Sequence, residues 1–261
     1  MSPTPSVSEP VEVESRRAFA RHAIEALAAV ALLEGLAVHR LFGQDVKPVV
    51  VDWLKELNAI SKDVVDHKSK DVEFQAALER LYAKVDLASL LKTLDFDRVA
   101  KGLDLPDKGA RSLPVEYRNV AGLSTKLVYG RQIFAMKKGR SVVPHGHDNM
   151  ATGFIVLSGN LRGRHYDRVE DQKDHYLIRP TIDRTFKPGE FSTVSDHKDN
   201  VHWFTAESES AFLFNIHVNH TNPENPLSPG RVYVDPMGEK VSGGLIKAPK
   251  LTYGKVNRLY G

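Results

Sequence analysis

One stretch, Val142 to Asp167 (VVPHGHDNMATGFIVLSGNLRGRHYD), restricts the fold of this chain more than any other. His145 and His147 lie one residue apart, ahead of an apolar run from Phe154 to Leu157 and a turn glycine, Gly159. Alternate side chains of an extended strand share a face, so both imidazoles can aim at one point. The best third member is His202, in DNVHWFTA, just before a second apolar run from Ala211 to Ile216. His197, earlier in the charged loop from Ser195 to Asp199, competes for that role. His202 is preferred because Trp203, Phe204 and Thr205 give it a packed strand to be oriented by, which the loop lacks. Three neutral imidazoles with open positions make a mononuclear metal site able to take further ligands.

The surrounding pattern is that of strands. From Val115 the apolar period moves toward two, with candidate strands at Lys126–Tyr129, Gln132–Met136, Thr152–Leu157, Leu161–Tyr166, Phe191–Val194, His202–Thr205 and Ala211–Val218. Lys138-Gly139, Ser158-Gly159 and Pro188-Gly189 mark turns between them. Short strands at this spacing predict an all-β core over 115–240, a double-sheet jelly roll. The stretch after Thr221, rich in Pro, Gly and Lys with one strand candidate at Arg231–Val234, is expected to wrap the barrel, and 241–261 forms the C-terminal tail.

Upstream, 46–110 reads as an α-helical segment. Trp53, Leu54, Leu57 and Ile60 form one apolar stripe, and Phe74, Leu78, Leu81, Tyr82 and Val85 form another. Asp86 is placed to cap a helix containing Leu87, Leu90, Leu91 and Leu94. Such stripes are packing faces. Gly102 to Pro114, with its prolines and glycines, reads as the linker into the β region.

Residues 1–45 hold a polar, proline-containing start expected to be disordered, then Ser15 to Arg21 (SRRAFAR) and an Ala/Leu-rich run from Ala23 to Val38. The pair of arginines resembles a twin-arginine export signal, which implies a periplasmic protein. Glu25 and Glu34 interrupt the apolar run, and no clear cleavage site follows. The alternative is an ordinary amphipathic helix in a cytoplasmic protein. After residue 40 no apolar stretch is long enough to span a membrane, so no stable span is expected in the mature chain.

A net charge of +3, with basic and acidic residues interspersed, gives no reason to expect a nucleic-acid partner. There is no cysteine, which excludes disulfides, thiolate ligands and a cysteine nucleophile. The 11 histidines are therefore the main candidate metal ligands.

These residues also carry a resemblance. His-x-His, a downstream glycine and a later histidine on a β-rich segment resemble the two motifs of the cupin superfamily. Within it, the chain is similar to thiol dioxygenases of the plant cysteine oxidase and cysteamine dioxygenase type. Pro144, His145, His147, Met150, Gly159, Tyr166, Asp167, Asn200, His202, Phe204 and Ala206 match that pattern, over roughly half of the chain.

The resemblance implies a cupin double-stranded β-helix whose histidines hold Fe(II), oxidising a small thiol with O2 to a sulfinate. Many cupins add a glutamate shortly after His-x-His. Thr152 falls where it would stand, and Asp148 is expected to face away from the two imidazoles. The ligands alone equally suit zinc, copper, nickel or manganese.

Candidates for substrate contact are Arg162 and Arg164 on the strand after Gly159, Tyr129 and Arg131 before His-x-His, and Asn215 on the late strand. The plant-type enzymes place a carboxylate on that strand, whereas here Phe214 or Asn215 takes its place. A dioxygenase or lyase acting on a non-thiol substrate such as a diketone, or a non-catalytic cupin that binds a metal or small ligand, remains open beside the thiol reading.

Overall fold

A computed structural model describes residues 46–117, 120, 122–124, 126–224 and 228–261. The polar start and the twin-arginine-like helix lie outside these residues. From Lys47 to Gly261 the chain forms one compact unit.

Among the described residues, four helices open it: α1 (Val46–Val65), α2 (Asp71–Tyr82), α3 (Leu87–Thr93) and α4 (Phe96–Ala100). The expected stripes are buried, with Trp53, Leu54 and Leu57 on α1 and Phe74, Leu78, Leu81 and Tyr82 on α2. Asp86 caps α3 as its sequence suggests, its carboxylate accepting the Ser89 N–H at 2.8 Å. Helix α2 is fastened to the sheet beneath it, Gln75 donating to the Thr193 carbonyl at 3.0 Å and Thr193 Oγ1 to Glu79 at 2.7 Å.

Twelve strands follow: β1 (Arg111–Pro114), β2 (Gly130–Lys137), β3 (Ser141–Asp148), β4 (Met150–Ser158), β5 (Leu161–Asp171), β6 (His175–Phe186), β7 (Phe191–Val194), β8 (Val201–Ala206), β9 (Ser210–Asn219), β10 (Gly230–Val234), β11 (Glu239–Val241) and β12 (Leu245–Leu251). Helix α5 (Tyr253–Tyr260) comes last. One sheet runs β1-β2-β9-β4-β7, the other β10-β3-β8-β5-β6-β12-β11. Consecutive strands from β2 to β5 alternate between the sheets, and β9-β4-β7 faces β3-β8-β5-β6. That order is a jelly roll, the double-stranded β-helix of cupin-type folds. Gly159 turns β4 into β5 at φ 73°, a left-handed conformation that glycine adopts without strain.

Several boundaries differ from expectation. The supposed linker ends in a strand, because β1 pairs antiparallel along β2. No strand forms at 126–129 among the described residues, and pairing begins at Gly130 opposite His217. The tail supplies β11 and β12 to the seven-stranded sheet rather than merely wrapping it.

Three cores result. Helices pack on the outer face of the five-stranded sheet through Leu54, Leu78, Ile155 and Phe214. Between the sheets lie Phe134, Phe154, Phe186, Phe204 and Leu213. The pairing of β10 with β12 closes β10, β3, β8, β5, β6 and β12 into a ring. Tyr176, Ile178, Val201, Val234 and Ala248 fill it.

Candidate metal centre

Strand β3 serves two of these cores at once. Its odd residues His145 and His147 face the space between the sheets, while Gly146 faces the small ring, where a Cβ would lie 3.3 Å from Tyr176 and Val201. A bulge between Val142 and His145 sets this phase, so that Val142 also faces inward. His202 is the register partner of His145 across the β3–β8 pair, and of His165 across β8–β5.

The three imidazoles expected from the sequence converge. Ring centroids are 4.3 Å apart for His145 and His202, 4.8 Å for His147 and His202, and 5.0 Å for His145 and His147. One nitrogen of each lies within 4.8 Å of the others, a cluster that could hold a metal ion. All three side chains are buried.

Local hydrogen bonds fix the tautomers. His145 Nδ1 lies 2.8 Å from the Val143 carbonyl, and His202 Nδ1 lies 3.1 Å from the Asn200 carbonyl. A carbonyl only accepts, so each Nδ1 carries the proton and each Nε2 a lone pair. His147 Nδ1 is 3.3 Å from Thr152 Oγ1. Nε2 of His147 and of His202 are buried with no partner among the described residues. Buried polar atoms are rarely left so, and a divalent cation is the partner that suits neutral imidazole nitrogens.

Electrostatics favour the same state. Burial, with the neighbouring imidazoles and Arg231 adding to it, pushes His145 and His147 well below the usual histidine range. Burial brings His202 to about 3, and Arg231 again lowers it. The cluster is neutral at ordinary pH.

Phe134, Val142, Met150, Thr152, Phe154, Asn215, His217 and Arg231 complete the cavity wall. Free space is about 10 Å³ for the centre of a water molecule, room for roughly one small group. No carboxylate lines it among the described residues. Thr152 stands where the glutamate of many cupins is expected, and Asp148 points away to Arg168 at 2.7 Å.

Of the other expected site residues, only Asn215 reaches this cavity, accepting from Gln132 Nε2 at 3.0 Å. Arg162 and Arg164 alternate with His165 on β5 and so face outward. They meet Asp183 at 2.6 and 3.4 Å, and Arg164 stacks over Trp203 at 4.5 Å. Tyr129 packs into the helix-facing core, and Arg131 lies 4.7 Å over the Tyr117 ring. None of these four is brought to the histidines. His197, the rival third ligand, pairs instead with Asp71 at 2.9 Å.

Arg231 carries no sequence signal of contact with a ligand, whereas Thr152 was marked only by falling where many cupins carry a glutamate. Arg231 is legible only through pairing: it sits opposite His147 across β3–β10, and cross-strand partners share a face. His165 is fully buried beside His202, at 6.2 Å between centroids. Its alternation with Arg162 and Arg164 on β5 places it on the inward face.

No family model matches the sequence, nor does any curated protein. Among solved structures, the chain is similar to a protein from Thermus thermophilus, with 14% identity over 46% of this chain and 93% of that one, TM-score 0.34. It is similar to a protein with a double-stranded β-helix domain from Klebsiella pneumoniae, with 11% identity over 47% and 82%, TM-score 0.33. A cupin superfamily protein from Desulfitobacterium hafniense shares 14% identity over 45% and 84%, TM-score 0.30. Strand order, rather than these partial likenesses, defines the fold. The chain is a double-stranded β-helix (jelly-roll) protein with a buried three-histidine cluster that could hold a metal ion.

Proposed function

We propose that the protein is a metal-dependent oxygenase of small molecules, with His145, His147 and His202 as the ligands and a small thiol as the substrate. The observation that carries this reading is the pair of unpartnered Nε2 atoms in a neutral three-histidine cluster with no carboxylate beside it. Three protein ligands leave positions for substrate and oxidant. Fe(II), when bound there, supplies the redox chemistry that joins a thiolate to O2. The overall change, thiolate plus O2 to sulfinate, oxidises sulfur by four electrons and needs no further reductant. Carbonyls of Val143 and Asn200 hold the Nδ1 protons of two ligands in place throughout. Phe134, Val142 and Phe154 keep bulk water out.

The narrowness of the cavity favours a second reading, a cupin that binds metal without turnover. One experiment separates them. The full chain is reconstituted anaerobically with Fe(II), then O2 uptake is followed with cysteine, cysteamine, 3-mercaptopropionate and a diketone, using His202→Ala as control. Uptake with a thiol, a sulfinate product and loss in the variant support the oxygenase. Uptake with the diketone alone moves the substrate away from sulfur. Stoichiometric metal without uptake favours the binding protein.

A further inference from the structure

An open cavity of about 570 Å³ lies at the N-terminus of helix α2, and none of the three clustered histidines lines it. Its wall comes from three parts of the chain: the segment from His67 to Glu73, His197 in the loop before β8, and the segment from Thr221 to Glu224 beyond β9. Helix α2 runs for 12 residues, and the Phe74 N–H donates to the Lys70 carbonyl at 2.9 Å to close its first turn. The N–H groups ahead of Phe74 have no acceptor within the helix, and the helix dipole adds positive potential at this end.

The charges on the wall are unevenly committed. Asp71, 5% exposed, accepts the His197 N–H at 3.3 Å and lies 2.9 Å from His197 Nδ1. Glu73 accepts the Lys70 N–H at 2.9 Å, and Lys68 pairs with Asp66 at 3.4 Å. Lys70 is exposed, and its ammonium makes no ion pair among the described residues. On the acidic side only Glu224, at the exposed edge, is left unmatched among them.

Thr221 is an independent sign of a ligand. It is 3% exposed and lines the cavity, yet its Oγ1 has no hydrogen-bond partner among the described residues. Its chain neighbours are fixed, the His220 N–H donating to the Asn149 carbonyl at 2.9 Å and the Asn222 N–H to Asn149 Oδ1 at 3.0 Å. The hydroxyl is therefore held in place by its backbone, and a buried hydroxyl is seldom left without a partner.

We propose that this cavity is a phosphate site, with the first turn of α2, the Lys70 ammonium and the Thr221 hydroxyl as donors to the phosphate oxygens. A helix N-terminus takes phosphate through its free N–H groups, and a lysine adds a point charge. The volume exceeds that of one ion and leaves room for the organic part of a phosphate monoester. Free phosphate presents the same oxygens. The site stands apart from the histidine cavity and does not depend on the metal reading.

The test titrates the full chain, at fixed ionic strength, with inorganic phosphate and with phenyl phosphate, followed by calorimetry. Saturable binding of one equivalent per chain is expected, weakened about tenfold or more in Thr221→Val and to a lesser degree in Lys70→Gln. Thr221→Val removes the hydroxyl at nearly constant volume, and urea midpoints check that both variants stay folded. Tighter binding of phenyl phosphate identifies a monoester site, and equal or weaker binding a free-anion site; either sustains the proposal when Thr221→Val weakens it. No saturable binding of either probe overturns the proposal. Wild-type affinity in Thr221→Val, with loss only in Lys70→Gln, reduces the effect to surface charge and overturns it too. Should Thr221→Val fail to fold, Thr221→Ser, which keeps the hydroxyl, should bind like wild type and Thr221→Ala should not; equal affinity in those two overturns the site.

Discussion

Asn200 grips the backbone of His147 from both sides. Its amide Nδ2 donates to the His147 carbonyl at 2.8 Å, and its Oδ1 accepts the His147 N–H at 3.3 Å. The same residue's carbonyl accepts the Nδ1 proton of His202, and its Nδ2 also reaches the Ser195 carbonyl at 3.0 Å. One buried asparagine thus sets the position of two imidazoles on two different strands.

Asn200→Ala should weaken metal binding by about 10–100-fold without removing any ligand. It should also cost on the order of 1–3 kcal/mol of stability, since buried backbone groups lose their partners. Competition with a chromophoric chelator reads the first and chemical denaturation the second. Wild-type affinity in the variant would show that Asn200 does not position the ligands.

Gly146→Ala tests the same clamp from within the strand. The added Cβ would lie 2.5 Å from Asn200 Oδ1, so the amide must shift or β3 must bow. A loss of about 1–3 kcal/mol is expected, together with weaker metal binding. A folded variant with unaltered affinity would mean that the clamp tolerates displacement.

Histidine variants should separate ligands from bystanders. His202→Ala should abolish stoichiometric binding, whereas His197→Ala should retain it, because the His197 side chain is 59% exposed and faces Asp71. His165→Ala should also retain the metal, at a stability cost from the space it leaves. Metal analysis after gel filtration decides, and full occupancy in His202→Ala would return the third ligand to question.

Stability of the metal-free protein should fall with acid. His145, His147, His165 and His202 are held neutral by burial, whereas the unfolded chain takes up their protons near the ordinary histidine value of 6.5. Below that pH the unfolded state binds more protons than the folded one, so unfolding is favoured as pH drops. Each histidine contributes up to about 1.4 kcal/mol per pH unit, and for His202 the loss continues to about 3. Urea midpoints between about pH 7.5 and about pH 5 should decline steeply; a flat profile would refute the neutral cluster.

Much of this architecture was legible from residue order. Period two after Val115 and the turn at Gly159 reported the jelly roll, because strand faces must alternate wherever one side is buried. His145 and His147 were legible because their spacing puts both on one strand face, and His202 because Val201, Trp203 and Phe204 mark a packed strand around it. What escaped depended on pairing. Arg162 and Arg164 look well placed in sequence, yet parity with His165 turns them outward. Arg231 is distant in sequence from His147 and comes opposite it only when β10 joins β3. The tail's strands escaped because β11 is only three residues long and Lys247, Pro249 and Lys250 interrupt the apolar residues of β12, and pairing with β6 and β10 overrides that weak preference.

The two-sided duty of β3 restricts how this protein can change over generations. Adding or deleting one codon between Pro144 and Asp148 would exchange the faces, sending imidazoles into the Tyr176 ring and Gly146 toward the cavity. Length variants of this segment should therefore survive only as two-residue steps, or alongside a second bulge that restores parity. Substitution is open to this strand, and single-residue indels are closed to it.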